Sequence, residues 1–399
     1  MVRTVGRNLK KWLVISLVIS LMASTTAVIG TYYLAGKTAE ADCYVGVSYC
    51  GDTVAEAKLL IDRVKTYTNL FVLQSGPVGE NESATNEICD YAVDAGLKII
   101  VFFGDLTPTK LEEKGLAWRL SWLNTTMQRW GDRFLGVYYY DEPGGIQLDC
   151  NWNEYDIMSW NATIDEPDYD AIANLIELGF QLDPGFEVAK ESSPSLFVSD
   201  YALYWWDYLL GYDVVLAQVG WNHTLAQDIS LVRGAARLQD KSWGVIITWK
   251  YTDWPYLDDD EAIYYQMYTS YKAGAEYIVI FNYPQIEGKD YGVMDDDHFG
   301  ALERFWNDAV RNSWVVHGSL EAEAVLVLPR NYGWGMRYPE DRIWGWWGPD
   351  EKSHQIWNIT RQLLEQHGAS LDIVYDDPAF QIEGVYKTVY YWNQTTTFE

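Results

Sequence analysis

Two adjacent carboxylates, Asp141 and Glu142, close a run of aromatic and β-branched residues in the stretch GVYYYDEPGG (136–145), and a proline and two glycines follow at once. Paired acids can do general acid–base work, because crowding lifts the titration of one member and lets it hold a proton while its neighbour is ionised. Such a pair suits glycosidic cleavage. There the leaving oxygen needs a proton, and the oxocarbenium-like carbon needs an activated water or a carboxylate. Glu142 has the longer reach and is the candidate proton donor, with Asp141 beside it in the catalytic set. For a second carboxylate the candidates are Asp253 and Asp200, with Asp105 a weaker third. Asp165-Glu166-Pro167 repeats the same three letters, but no strand precedes it and a helical pattern follows, so those acids read as helpers of a helix N-terminus.

The elements that must position the pair repeat in one rhythm. Apolar runs at 44–49, 70–74, 98–103, 134–140, 196–199, 214–219, 244–249 and 277–282 alternate with amphipathic helical stretches. Strands that are hydrophobic nearly throughout and separated by helices pair in parallel under a helical cover. Eight such units predict an α/β fold of the (β/α)8 TIM-barrel type over 43–312. An open doubly wound sheet would alternate too, but no glycine-rich phosphate loop follows the first run. The fourth run then delivers Asp141 and Glu142 to the rim where catalytic residues gather in barrels. At matching rim positions stand Tyr49, Asp105, Tyr140, Tyr201, Trp221, Trp249, Lys250, Asn282 and Tyr283, read as substrate-binding candidates. Lys250 either neutralises a carboxylate or meets an acidic sugar, whereas His223 lies in an N-x-S/T sequon and is given no role.

Beyond a linker at 313–323, residues 324–399 read as a small α/β domain. Its strand–loop–helix–strand–strand order includes the tryptophan-rich loop 330–351, which either seals against the barrel or reaches its mouth. At the other end, 1–11 is a short basic segment, 12–34 carries no charge and 35–42 is a linker. The uncharged run is long enough for a transmembrane anchor with the N-terminus inside, and a cleaved signal is the competing reading. Either way the remainder is expected outside the cytoplasm, at the cell membrane or secreted. Sequons at Asn81, Asn124, Asn161, Asn222, Asn358 and Asn393 fit a glycoprotein. Four cysteines, Cys43, Cys50, Cys89 and Cys150, allow two disulfides, one of them Cys50 to Cys150, with free buried thiols as the alternative.

A net charge of −28 argues against nucleic acid as a partner. The supply of 20 Trp and 30 Tyr suits both cores and sugar recognition, since rings stack on apolar pyranose faces. No metal-ligand spacing is evident and no cofactor is expected, although Asp295-Asp296-Asp297 leaves room for a structural cation.

The stretch YYYDEPGG resembles the TIM-barrel glycoside hydrolase superfamily, whose most numerous clan places Asn-Glu-Pro at the end of strand four with the Glu as acid/base. That resemblance puts Glu142 in the acid/base place. Asp141 stands where the clan has asparagine, and GVIITWKYTDWP (244–255) holds no Glu where the clan has its nucleophile. An adjacent Asp-Glu pair is also similar to the hexosaminidase arrangement, which implies attack by the substrate's own acetamido group with Asp141 orienting it. The chitinase-type pattern does not fit, because Tyr138 and Tyr140 fill its aspartate places. The tail is loosely similar to the small domains that follow beta-galactosidase-type barrels. The expectation is a membrane-anchored extracytoplasmic glycoside hydrolase, or related carbohydrate-active enzyme, acting on a polysaccharide or glycan. Its alternative is a non-catalytic glycan-binding or cell-envelope surface protein on the same scaffold.

Overall fold

Eight strands pair in sequence order, all parallel: β1 (Tyr44–Tyr49), β2 (Leu70–Leu73), β3 (Lys98–Phe103), β4 (Phe134–Tyr139), β5 (Leu196–Asp200), β6 (Val214–Val219), β7 (Ser242–Ile247) and β8 (Tyr277–Ile280). β1 then closes on β8 with Tyr44 opposite Tyr277, so the sheet is a closed barrel. The computed structural model describes residues 43–150, 167–220, 224–282, 286, 288–312 and 314–394. Strand β7 begins and ends two residues earlier than the sequence suggests. After Ile247 the chain bends into a loop that the Lys250 and Tyr251 N–H groups close by donating to the Tyr256 carbonyl, at 2.7 and 3.0 Å.

Alternation along each strand sorts the side chains into two cores. Leu70, Val72, Ile100, Tyr138, Phe197, Val214, Leu216, Ile246, Tyr277 and Val279 pack together inside the barrel. Tyr277 stacks on Tyr44 and meets Phe197 edge-on, with centroids 5.2 and 5.1 Å apart. Outward residues such as Val45, Val47, Val137 and Val245 join the layer beneath the helices. Those helices start where side chains satisfy free N–H groups: Thr53 accepts from Glu56 at Val54–Val64, and Asn81 from Ala84 at Glu82–Asp94. β4 carries one irregularity. Ile99 pairs with Phe134 and Ile100 with Gly136, so one extra residue bulges between them. Gly136 has φ +153°, and a Cβ there would lie 2.0 Å from the Ser195 carbonyl oxygen.

The C-terminal strands β9 (Ala324–Leu328), β10 (Leu371–Tyr375) and β11 (Thr388–Tyr391) form a parallel sheet of order β10-β9-β11, with helix Glu351–His367 between β9 and β10. This sheet packs on helix Leu225–Gln239. Gly234 permits the approach, since a Cβ on it would sit 2.8 Å from the Ile373 carbonyl oxygen. Beside it Arg233 Nε donates to Asp372 Oδ1 at 2.8 Å, and Nη2 to the Ala369 carbonyl at 2.6 Å. Asp372 is 0 % exposed and also accepts from the Tyr386 hydroxyl at 2.9 Å. Trp334 and Trp344 of the aromatic loop are fully buried, and Trp344 meets Trp206 at 4.6 Å.

Two expectations are corrected. Among the described residues no helix is long and apolar enough to cross a membrane, and the apolar run at 12–34 lies outside them. The membrane-anchored form, with its transmembrane helix, its membrane partner and its cell-membrane location, is therefore withdrawn. All four cysteines are free, so the Cys50–Cys150 disulfide is withdrawn as well. Cys50 Sγ lies 3.9 Å from Ser48 Oγ at the end of β1, and burial pushes its thiol up to about 12.

Arg233→Ala would leave the Asp372 carboxylate buried without its main counter-charge. The expected loss is about 3–5 kcal/mol of stability, read as a lower denaturant midpoint at unchanged slope; a midpoint equal to that of the parent protein would mean that this pair does not hold the C-terminal sheet to the helix.

Candidate active site

The inward phase of each strand, followed one step past the apolar core, reaches a polar layer at the C-terminal end of the barrel. Gln74, Ser199, Gln218 and Thr248 continue the inward rows of β2, β5, β6 and β7, and Phe281 continues that of β8. Together with Asp141, Glu142, Ile246 and Trp249 they line a cavity of about 280 Å³. Trp249 and Phe281 lie nearly parallel at 6.3 Å and give one wall an apolar face.

The carboxylates reach this cavity because the backbone reverses sharply after β4. Tyr140 and Glu142 both adopt left-handed conformations, with φ 58° and 54°, which for such residues stores local strain of about 1 kcal/mol or more each. Asp200 holds the reversal in place. Its buried carboxylate accepts four backbone N–H bonds, from Gly144 at 2.5 Å, Gly145 at 2.8 Å, Tyr201 at 2.7 Å and Ala202 at 3.2 Å. Glu142 N–H adds a bond of 3.0 Å to the Ser199 carbonyl. Position 144 must be glycine, since a Cβ would approach the Ala202 carbonyl oxygen to 2.5 Å. Nearby Asp207 is equally buried and its Oδ2 has no hydrogen-bond partner. Burial first and the charge of Asp200 second raise Asp207 well above the carboxylate range. Burial lifts Asp200 too, to about 7, but its four donors oppose the rise, so of the two Asp207 holds its proton the more firmly.

A hydrogen-bond chain joins the pair across the barrel mouth. The Tyr138 hydroxyl donates to Asp141 Oδ1, and Ser199 Oγ lies 2.6 Å from that hydroxyl and 3.2 Å from the same carboxylate oxygen. Gln218 Nε2 donates to Glu142 Oε1 at 2.6 Å and to Ser199 Oγ at 3.1 Å. Gln74 Nε2 stands 3.4 Å from Tyr138, and its Oε1 is buried with no donor. Burial lifts Asp141 to about 6; donation from Tyr138 opposes this and the charge of Glu142 reinforces it. Both carboxylates line the cavity, and the charge of Glu142 helps Asp141 to keep its proton.

Other expected site residues go elsewhere. Asp200 is the clamp just described and does not face the cavity. Asp253 is exposed on the loop after β7, and Lys250 pairs with Asp258 at 2.7 Å. Asp105 accepts from Lys110 at 3.0 Å and Thr107 N–H at 2.8 Å, beside a separate cleft. The Tyr49 hydroxyl donates to the Thr53 carbonyl at 2.7 Å, at the start of a helix. Tyr140 has the same strand parity as Tyr138, but its left-handed bend turns the hydroxyl to Asp183, 2.5 Å away. Tyr201 donates to Asp149 at 2.7 Å, and Asn282 is buried with its N–H on Ser48 Oγ at 3.2 Å. Trp221 and Tyr283 lie outside the described residues. Of the candidates, Asp141, Glu142 and Trp249 line the cavity.

The sequence places Gln74 and Gln218 at strand ends on the rim without giving them a role, and Tyr138, Ser199, Thr248 and Phe281 were passed over as site residues. Their signal was the two-residue period, which places a polar residue one step beyond the last apolar inward one on β2, β5, β6 and β7. Among the described residues no group of His, Cys, Asp and Glu side chains is arranged to hold a metal ion. Asp295 instead caps helix Asp296–Phe305 by accepting from the N–H groups of Asp297 and His298.

No protein-family model matches the chain, and no curated protein matches it significantly. Solved structures similar to it include GH5_18 from Streptomyces cattleya in complex with GlcNAc, 11 % identical over 84 % of this chain and 93 % of that one, at a TM-score of 0.55. The endo-1,4-beta-mannanase of Rhizomucor miehei is 10 % identical over 68 % and 95 %, at 0.42. The pneumococcal virulence factor StrH is 8 % identical over 67 % and 83 %, at 0.41. Likeness at such identity speaks to architecture: the chain has the closed parallel barrel found in glycoside hydrolases.

Proposed function

We propose that the protein is a glycoside hydrolase that cleaves a 2-acetamido sugar with the help of the sugar's own acetamido group. The observation that carries this reading is that, among the described residues, both acids lining the cavity come from the end of one strand. Cleavage through an enzyme nucleophile needs a second acid about 5–5.5 Å from the first, and cleavage by direct water attack needs one about 6.5–9.5 Å away. Among the described residues no acid from another strand lines the cavity. A nucleophile within the substrate removes that need. GlcNAc, present in the similar Streptomyces cattleya structure, is a sugar of this class, although that likeness itself concerns the fold.

In this mechanism the acetamido oxygen bonds to the anomeric carbon as the bond to the leaving oxygen breaks, and Glu142 gives that oxygen its proton. Asp141 accepts the acetamido N–H and faces the positive charge of the cyclised intermediate. Water then adds at the anomeric carbon, Glu142 takes its proton back, and the acetamido bond breaks. Gln218 holds Glu142 by one oxygen, while Trp249 and Phe281 supply the apolar face against which the sugar ring lies. The lack of an acid at the end of β7 also favours the other reading, a glycan-binding protein without turnover.

Both anomers of 4-nitrophenyl N-acetylglucosaminide separate the two. Hydrolysis of one anomer is expected, with Glu142→Gln lowering kcat about 10²–10⁴-fold at nearly unchanged KM, and with the matching glucoside, which has no acetamido group, turned over far more slowly. Asp141 can accept the acetamido N–H and face the positive charge only once it is ionised, so kcat/KM should rise as pH rises through about 6. Equal turnover of the glucoside, or undiminished turnover by the Gln variant, would refute the mechanism, and no turnover by the parent protein would favour the binding protein.

Asp141 also affects stability. Its folded titration near 6 lies above the unfolded one near 4, so the native state binds more protons between them and loses stability as pH rises through that window. Asp141→Asn should therefore raise stability by about 2–3 kcal/mol at pH 7.5, with the difference in Tm shrinking at pH 4; a difference independent of pH would deny that the carboxylate is held up by burial.

A further inference from the structure

A second cleft, of about 200 Å³, lies beside the carboxylate cavity at the ends of β2 and β3. Phe102 walls it and meets the Tyr138 ring edge-on at 5.1 Å, so the two spaces are neighbours: Gln74 lines the first and Ser75 the second. In a chain of net charge −28, this cleft gathers three cations, Lys110, Lys114 and Arg119, against the acids Asp105 and Glu80. Asp105 is already engaged by Lys110 and by Thr107 N–H.

Arg119 is the unusual member. It is 7 % exposed, and its guanidinium is held by carbonyls alone: Nε and Nη2 donate to the Gly79 oxygen at 3.0 and 2.7 Å, and Nη1 to the Asp105 carbonyl at 3.4 Å. One N–H on each terminal nitrogen is left over. Among the described residues neither Arg119 nor Lys114 has a carboxylate at ion-pair distance. The Phe103 ring, 4.9 Å from the guanidinium, offsets part of the cost of burying the charge. Arg119 feels the charges of Glu80 and Asp105 but touches neither carboxylate, and a buried cation with free N–H groups open to a cleft is a place for an anion.

We propose that this cleft binds an anionic group, a carboxylate or sulfate ester, on the sugar adjoining the one at Asp141 and Glu142. The substrate is then an acidic glycan, and this rests on the glycan-cleaving reading above. Arg119 meets the anion with its free N–H groups, Lys114 adds a mobile charge at the entrance, and Phe102 separates the two sugars.

The full chain is titrated calorimetrically, at fixed ionic strength, with D-glucuronate, D-glucose 6-sulfate and D-glucose. At least one anionic sugar should bind about tenfold more tightly than glucose; glucuronate alone identifies a carboxylate and the sulfate alone a sulfate ester. Lys114→Glu, at an exposed position, should abolish that preference, and the Glu142→Gln background should keep it. Anions binding no better than glucose, or Lys114→Glu without effect, would overturn the inference. Hydrolysis by the Gln variant would instead overturn the catalytic reading and leave this binding result standing.

Discussion

The site depends on one interaction, the caging of the Asp200 carboxylate by four backbone N–H groups drawn from two consecutive strand ends. It ties the turn after β4 to the turn after β5. With that link made, Tyr140 and Glu142 can stay in left-handed conformations that a free loop would abandon, and the side chains of Asp141 and Glu142 point over the barrel mouth. A buried charge is costly, and here the cost is met by donors that would otherwise be unpaired at a helix N-terminus. The network of Tyr138, Ser199 and Gln218 then tunes side chains whose backbone is already fixed.

The barrel was legible because its signal is repeated: eight apolar runs of strand length, each followed by an amphipathic stretch, leave few architectures open. The carboxylate pair was legible for the same reason, since it falls at the end of the fourth run. Its partners were harder to see. Asp253 and Lys250 occupy the expected strand end, but β7 leaves the ladder early and its loop carries both away from the cavity. Asp200 has the right residue type in the right place, and only the positions of four amide groups reveal that it braces the backbone.

Polar residues that complete the cavity read as ordinary strand ends. Ser199 and Gln218 differ from neighbouring positions in parity alone, and parity becomes chemistry only once the inside of the barrel is known. The apolar stretch at 12–34 and the cysteine pairing were inferred from local composition, which records what a segment could do in a given setting. The free, buried Cys43 and Cys89 show the other outcome of the same composition, packing as small apolar side chains.

The bulge at Gly136 has a consequence for how the fourth strand can vary. Below it Phe134 faces the helices and Leu135 the interior; above it Val137 faces the helices and Tyr138 the interior. The extra residue resets the count between the two halves, as a joint lets two lengths of pipe be turned independently. Drift in the lower half can thus be absorbed at the joint, while the upper half keeps its orientation and the two acids keep their aim.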